Sequence, residues 1–284
     1  MTATAYSAGE YDAFRKYLES TCGIVLGDNK QYLVMSRLGR LMNELGIGSL
    51  EELVRRLNGG MDRKLRERVI EAMTTNETLW FRDSFPFDIL KEIILPELAE
   101  RRVRKVRIWS AACSSGQEPY SISMTVQEYM SSNPGRLGDV EIVATDISPA
   151  VLEEAKAARY DAMALARGLS EERKSRFFIQ EGDVWRVRPE ITRRVSFRQA
   201  NLLQPYTTLG KFDVVFCRNV LIYFSAESKR DILARMARVL NPGGYLFLGS
   251  SESITHYSDE FDMVRGRRGA VYQVKDGVQA LGRS

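Results

Sequence analysis

The stretch WSAACSSGQEPYS, residues 109–121, sets one carboxylate, Glu118, behind seven small residues at the corner between an apolar run and a helical pattern. Small residues at such a corner let a backbone approach a ligand without side chains in the way. The dinucleotide fingerprint GxGxxG is missing, since only Gly116 is present, and Glu118 opposes a pyrophosphate at a helix start. A ligand with a positive group suits this corner better. Asp146 ends the next apolar run, twenty-eight residues on, where an acid takes ribose hydroxyls. S-adenosylmethionine answers both acids: it carries a sulfonium and an ammonium, a ribose, and no phosphate. Alone, Glu118 also reads as a first-turn acid favoured by the helix dipole, and Asp146 as the residue before a Ser148-Pro149 helix start.

A third stretch, FDVVFCRNVLIYF at 212–224, is a buried strand pattern that ends in Arg218 and Asn219. Enzymes that methylate planar amino groups often carry Asn/Asp-Pro-Pro-aromatic at this place. Here the chain has Arg218 and Tyr223 instead, with Arg82 from NETLWFR a candidate to join them. All three are donors suited to an anionic acceptor such as a carboxylate. Arg218 also has a structural reading, as a bridge to an acid at the sheet edge, and Tyr223 as core.

The rest of the chain must position these groups. Its 284 residues, 44% hydrophobic and 27% charged, are those of a globular protein of two modest domains or one large one. No run approaches the ~18 apolar residues of a membrane span, and the first residues lack an export signal, so a cytoplasmic location is expected. Cys22, Cys113 and Cys217 are too scattered for a disulfide framework, and the single His256 lacks neighbours at ligand spacing, so no metal site is expected. Residues 10–73 read as four short helices; Val34, Leu38, Leu41 and Leu45 mark the second, Ser49 with Glu52 caps the third, and Asp62 caps the fourth. From about residue 105, apolar β-rich runs alternate with helical patterns, which implies a parallel sheet with right-handed crossovers. The expected organisation is a helical domain at 1–75, a packed connector at 76–105, and an α/β Rossmann-like methyltransferase domain at 106–284 with a small antiparallel β-insertion at about 175–200 around an EGD turn.

In this order, RLGRLMNELG, TTNETLWFR, WSAACSSGQEPYS, ATDIS, NLL and FCRNVLIYF resemble the CheR family of chemotaxis receptor methyltransferases, over about residues 10–275. The resemblance implies methylation of glutamate side chains on the cytoplasmic helical bundle of chemoreceptors, with S-adenosylmethionine as donor and S-adenosylhomocysteine as product. It carries cofactor contacts to Asn76, Thr78, Arg82, Glu118, Asp146, Asn201, Leu202, Arg218 and Asn219, and places Arg37 and Tyr223 near the acceptor. Gln117 departs from the family, which often has a second acid there.

A glutamate acceptor is already ionised near neutral pH, with a pKa near ~4.3, and needs no general base. Arg82 or Tyr223 is expected to orient it, Tyr223 as the nearer contact. Arg37 and Arg40, three apart on the second helix, are expected to share a face toward an acidic receptor surface. The EGD turn resembles the short form of a loop that, in longer-looped relatives, helps seat a receptor's C-terminal pentapeptide, so independence of that peptide is expected. Two other readings stay open: a methyltransferase for RNA or a small molecule, and a non-catalytic S-adenosylmethionine sensor. Eleven Lys/Arg against ten Asp/Glu in residues 1–73 disfavour nucleic-acid binding.

Overall fold

The computed structural model describes residues 6–60, 62–265 and 269–277. Four helices come first: α1 (Ala8–Cys22), α2 (Gln31–Glu44), α3 (Leu50–Asn58) and α4 (Arg63–Met73). Side-chain caps start α1, α3 and α4, the last two where the sequence suggests, whereas α2 begins after Lys30 without one. Ser7 and Glu10 form a capping box on α1, Ser49 accepts from the Glu52 N–H at α3, and Asp62 accepts from the Leu65 N–H at α4. Glu52 reaches past Ser49 to the N–H of Gly48. Phe14, Leu18, Val34, Leu38, Leu50, Leu53 and Val69 are fully buried in the centre of this bundle. Leu45, the last residue of the α2 pattern, is exposed because the helix has ended at Glu44.

The connector is α5 (Phe85–Ile89), one π turn (Leu90–Ile94) and α6 (Leu95–Glu100). Trp80, Phe87, Leu90, Ile94 and Leu95 are buried in one cluster with Val106 and Ile108 of the sheet. The remaining elements are β1 (Lys105–Ala111), α7 (Gln117–Ser132), β2 (Asp139–Asp146), α8 (Pro149–Ala157), β3 (Arg159–Asp161), α9 (Ala162–Ala166), α10 (Glu171–Phe177), β4 (Phe178–Glu181), β5 (Val184–Val187), α11 (Pro189–Thr192), β6 (Val195–Gln199), β7 (Phe212–Cys217), α12 (Ala226–Val239), β8 (Leu240–Phe247), β9 (Phe261–Arg265) and β10 (Ala270–Val274).

Seven strands form one sheet in the order β6-β2-β1-β7-β8-β10-β9, with β6, β2, β1, β7 and β8 parallel and the β10–β9 pair antiparallel. Ala111 lies opposite both Thr145 and Cys217, so the carboxyl ends of β1, β2 and β7 stand at one level. The chain crosses to opposite sides of β1 there, which opens a crevice above those strand ends.

The β-insertion differs from its expected extent. Its sheet is β3-β5-β4, so its third strand comes from residues 159–161, before the hairpin. Residues 195–199 leave it and pair in parallel with Ile142–Asp146 as the edge of the main sheet. Their apolar–polar alternation in sequence, with no residue fully buried, is that of an edge strand, which period alone does not separate from an antiparallel hairpin.

Candidate active site

After β1 the chain turns through Ala112, Ser114 and Gly116, all with positive φ. Only at Gly116 is a side chain also excluded by neighbours: a β-carbon would stand 2.9 Å from the Tyr160 hydroxyl and 3.0 Å from Ala155. Tyr160, on β3, donates to the Ser115 carbonyl at 2.7 Å, so the small sheet braces the loop. Ser114 then faces the other walls. Its N–H donates to Asp146 Oδ2 at 2.9 Å and its hydroxyl to the Asn76 carbonyl at 2.8 Å.

Asp146 is buried at the end of β2 and also accepts from the Ser148 N–H at 3.0 Å. Burial raises its pKa, and the Ser148 and Ser114 N–H groups oppose the rise. Glu118, in the first turn of α7, accepts from the Ser110 hydroxyl at 2.7 Å and from Arg218 Nη1 at 3.1 Å. Burial raises its pKa too, against the pull of Arg218.

Arg218 has a side chain only 1% exposed. Its Nη2 donates to the Arg82 carbonyl and to Asp83 Oδ2, both at 2.7 Å, while its buried Nε has no partner among the described residues. The acid that the structural reading of Arg218 called for is therefore Asp83, with Glu118 as a second. Among the described residues, the Arg82 side chain makes only a long bond, 3.4 Å, from Nη1 to the Glu77 carbonyl. Asn219 has φ 57°, and its N–H donates to Glu252, which also takes the N–H groups of Gly249 and Ile222. Asn201 ties the strand ends to the helical domain: Nδ2 donates to the Thr21 carbonyl at 2.8 Å, and Oδ1 accepts from the Leu203 N–H.

Most of these groups line one open cleft above the strand ends. Asn76, Thr78, Arg82, Glu118, Asp146, Asn201, Leu202, Arg218, Asn219 and Tyr223 all lie on its walls. Arg37 does not. Its guanidinium donates to the carbonyls of Met73 and Thr74 at 2.8 and 3.0 Å and to the Thr75 hydroxyl at 3.1 Å. It thus braces the wall from behind, while Arg40, one turn on, is exposed and pairs with Glu44.

Sequence reading also passed over Cys22, Ile24 and Phe224 on the walls, and over Asp83 and Glu252 behind them. For Glu252 a signal existed, an acid just past the strand GYLFLGSSE; Asp83 and Phe224 adjoin Arg82 and Tyr223, and for Cys22 and Ile24 only the fold brings a distant segment to the cleft.

The donor set fits S-adenosylmethionine. Buried carboxylates suit its cationic groups and ribose hydroxyls, and the orphaned Arg218 Nε is a buried donor for a carboxylate.

Residues 76–270 match the family model described as CheR methyltransferase, SAM binding domain, and residues 9–74 match CheR methyltransferase, all-alpha domain. The chain is similar to chemotaxis protein methyltransferase 1 of Pseudomonas aeruginosa, 56% identical over 272 residues, which cover 94% of this chain and 98% of that one. It is 53% identical to a chemotaxis protein methyltransferase of Vibrio parahaemolyticus, over 97% of this chain and 100% of the relative. With the chemotaxis protein methyltransferase of Escherichia coli it shares 36% identity, over 91% and 89%.

Proposed function

This chain belongs to the CheR methyltransferase family, and from that premise we propose that it esterifies glutamate side chains on the cytoplasmic helical bundle of chemoreceptors. S-adenosylmethionine supplies an electrophilic methyl group on a sulfonium. The observation that carries the reading is that Glu118, Asp146, Arg82 and Tyr223, from four separate segments, line one cleft. Glu118 and Asp146 supply anionic walls for a cationic nucleoside. Arg82 and Tyr223 supply donors for an anionic acceptor.

The chain's work is positioning. A carboxylate oxygen needs no deprotonation; it must be held in line with the methyl carbon and the departing sulfur, and such placement is worth several powers of ten in rate. Tyr223 suits the nearer contact because a hydroxyl orients the carboxylate while leaving its nucleophilicity less blunted than a full ion pair does. Attack joins opposite charges, so a cleft that excludes water favours it over the solvated ions.

Incubation of the protein with methyl-labelled S-adenosylmethionine and receptor-enriched membranes tests this. Label should enter the receptors and be released by mild base, as from a methyl ester. Label that resists base, or that goes to RNA or a small molecule, overturns the reading.

A further inference from the structure

Arg82 reaches the cleft from a strained turn, in which Phe81, Asp83 and Ser84 all have positive φ, at 47°, 66° and 51°. Non-glycine residues hold such angles only where the surroundings over-determine them. Here Ser121 Oγ holds the start of the turn, accepting from the Phe81 N–H at 3.1 Å, and the buried Arg218 holds its far side, where Nη2 grips the turn twice, at the Arg82 carbonyl and at the Asp83 carboxylate, both at 2.7 Å. Its Nη1 goes the other way, to Glu118 at 3.1 Å. A guanidinium this deeply buried needs both carboxylates to offset its desolvation. If Asp83 is neutralised, Glu118 becomes its one remaining anion, and the pull on the turn weakens.

We infer that Asp83 is a positioning residue: through Arg218 it fixes the turn that aims Arg82 at the acceptor. This rests on the proposed transfer to a carboxylate. Asp83→Asn is a clean probe because asparagine tolerates positive φ as well as aspartate does, so the charge is lost and the backbone preference is kept.

The test is a double-mutant cycle on methyl transfer to receptor membranes, read under single-turnover conditions with labelled donor. Asp83→Asn should slow transfer about tenfold or more, as displaced catalytic groups do. In an Arg82→Ala background the same substitution should cost less than about twofold more, because residues acting through one another are not additive. Fully additive losses, or a wild-type rate in Asp83→Asn, overturn the inference while leaving the proposed function standing. Should Asp83→Asn fail to fold, Asp83→Glu, which keeps the charge but displaces it, is put through the same cycle: losses coupled to Arg82 support the inference, and additive losses or a wild-type rate overturn it. If the wild-type protein forms no methyl ester on receptors, the proposed function falls and this inference falls with it.

Discussion

Gly23 sits directly against the ring of Phe224: a β-carbon on Gly23 would stand 2.1 Å from Phe224 Cε1. Gly23 is the left-handed cap of α1, with φ 79°, and Phe224 follows the candidate catalytic Tyr223. The contact is one of several clasps between the helical domain and the strand ends. The Val25 N–H donates to the Tyr223 carbonyl at 2.9 Å, and Asn201 Nδ2 donates to the Thr21 carbonyl at 2.8 Å. The segment after α1 is thus a wall of the cleft, and the helical domain holds the backbone of Tyr223 in place.

Gly23→Ala should therefore act at two levels. A side chain at positive φ costs about 1 kcal/mol or more, and the methyl group must also push Phe224 aside, so a lower unfolding midpoint is expected together with slower transfer. A wild-type melting curve and rate would show that the two segments part without consequence.

Glu118 and Asp146 give opposite pH dependences for stability and binding. Both have pKa values raised by burial in the folded chain, so between the ordinary carboxylate range near ~4 and their folded values the native state binds more protons than the unfolded one. Their contribution to stability is then fullest below the unfolded pKa and is lost as pH rises through the folded pKa. Binding of a cationic donor needs the ionised forms and weakens as pH falls through the same window. In Glu118→Gln the Glu118 share of both trends should vanish. Calorimetric titration of S-adenosylmethionine and thermal melts across that window check this; parallel trends for wild type and variant would remove Glu118 from the cofactor site.

How far the sequence discloses this site depends on whether a residue's role is local. Glu118 and Asp146 are legible because small residues, an apolar strand and a helix start surround them within a few positions. Asp83 is not, since its partner Arg218 lies 135 residues away and the turn that presents it has no glycine to mark its positive φ. Gly23 reads as an ordinary helix cap, and nothing nearby announces Phe224. The assignment of 195–199 to the insertion failed for the same reason: a half-exposed edge strand and a hairpin arm share a period of two, and only pairing with β2 separates them.

Tyr223→Phe keeps the ring against its apolar neighbours and removes only the hydroxyl, for which no hydrogen-bond partner stands among the described residues. Cofactor affinity should stay near normal while transfer slows by roughly an order of magnitude or more. Equal losses in affinity and rate would mark Tyr223 as packing.

Arg37→Ala removes three donated bonds that hold the Met73–Thr75 carbonyls and hydroxyl. Bonds to a charged group are worth about 1.5–3 kcal/mol each at most, so a lower unfolding midpoint is expected, with a transfer defect that does not change with salt. A defect confined to low salt, with unchanged stability, would instead place Arg37 at the receptor surface.

The β4–β5 hairpin turns through Gly182 and Asp183 alone. Glu181 does not project a free charge there: it pairs with Arg159 at 2.7 Å and Arg186 at 2.6 Å. The case against a tethered receptor tail rests on the shortness of the turn, which adds little surface beyond the hairpin to anchor alternate side chains of an added strand. Main-chain pairing on a bare edge gives affinity, but pockets for side chains give recognition. A receptor tail peptide titrated into the protein should give no heat of binding, and transfer to receptors truncated before the tail should match transfer to intact ones. Micromolar binding, or a truncated receptor methylated tenfold more slowly, would show that this short hairpin seats the tail after all.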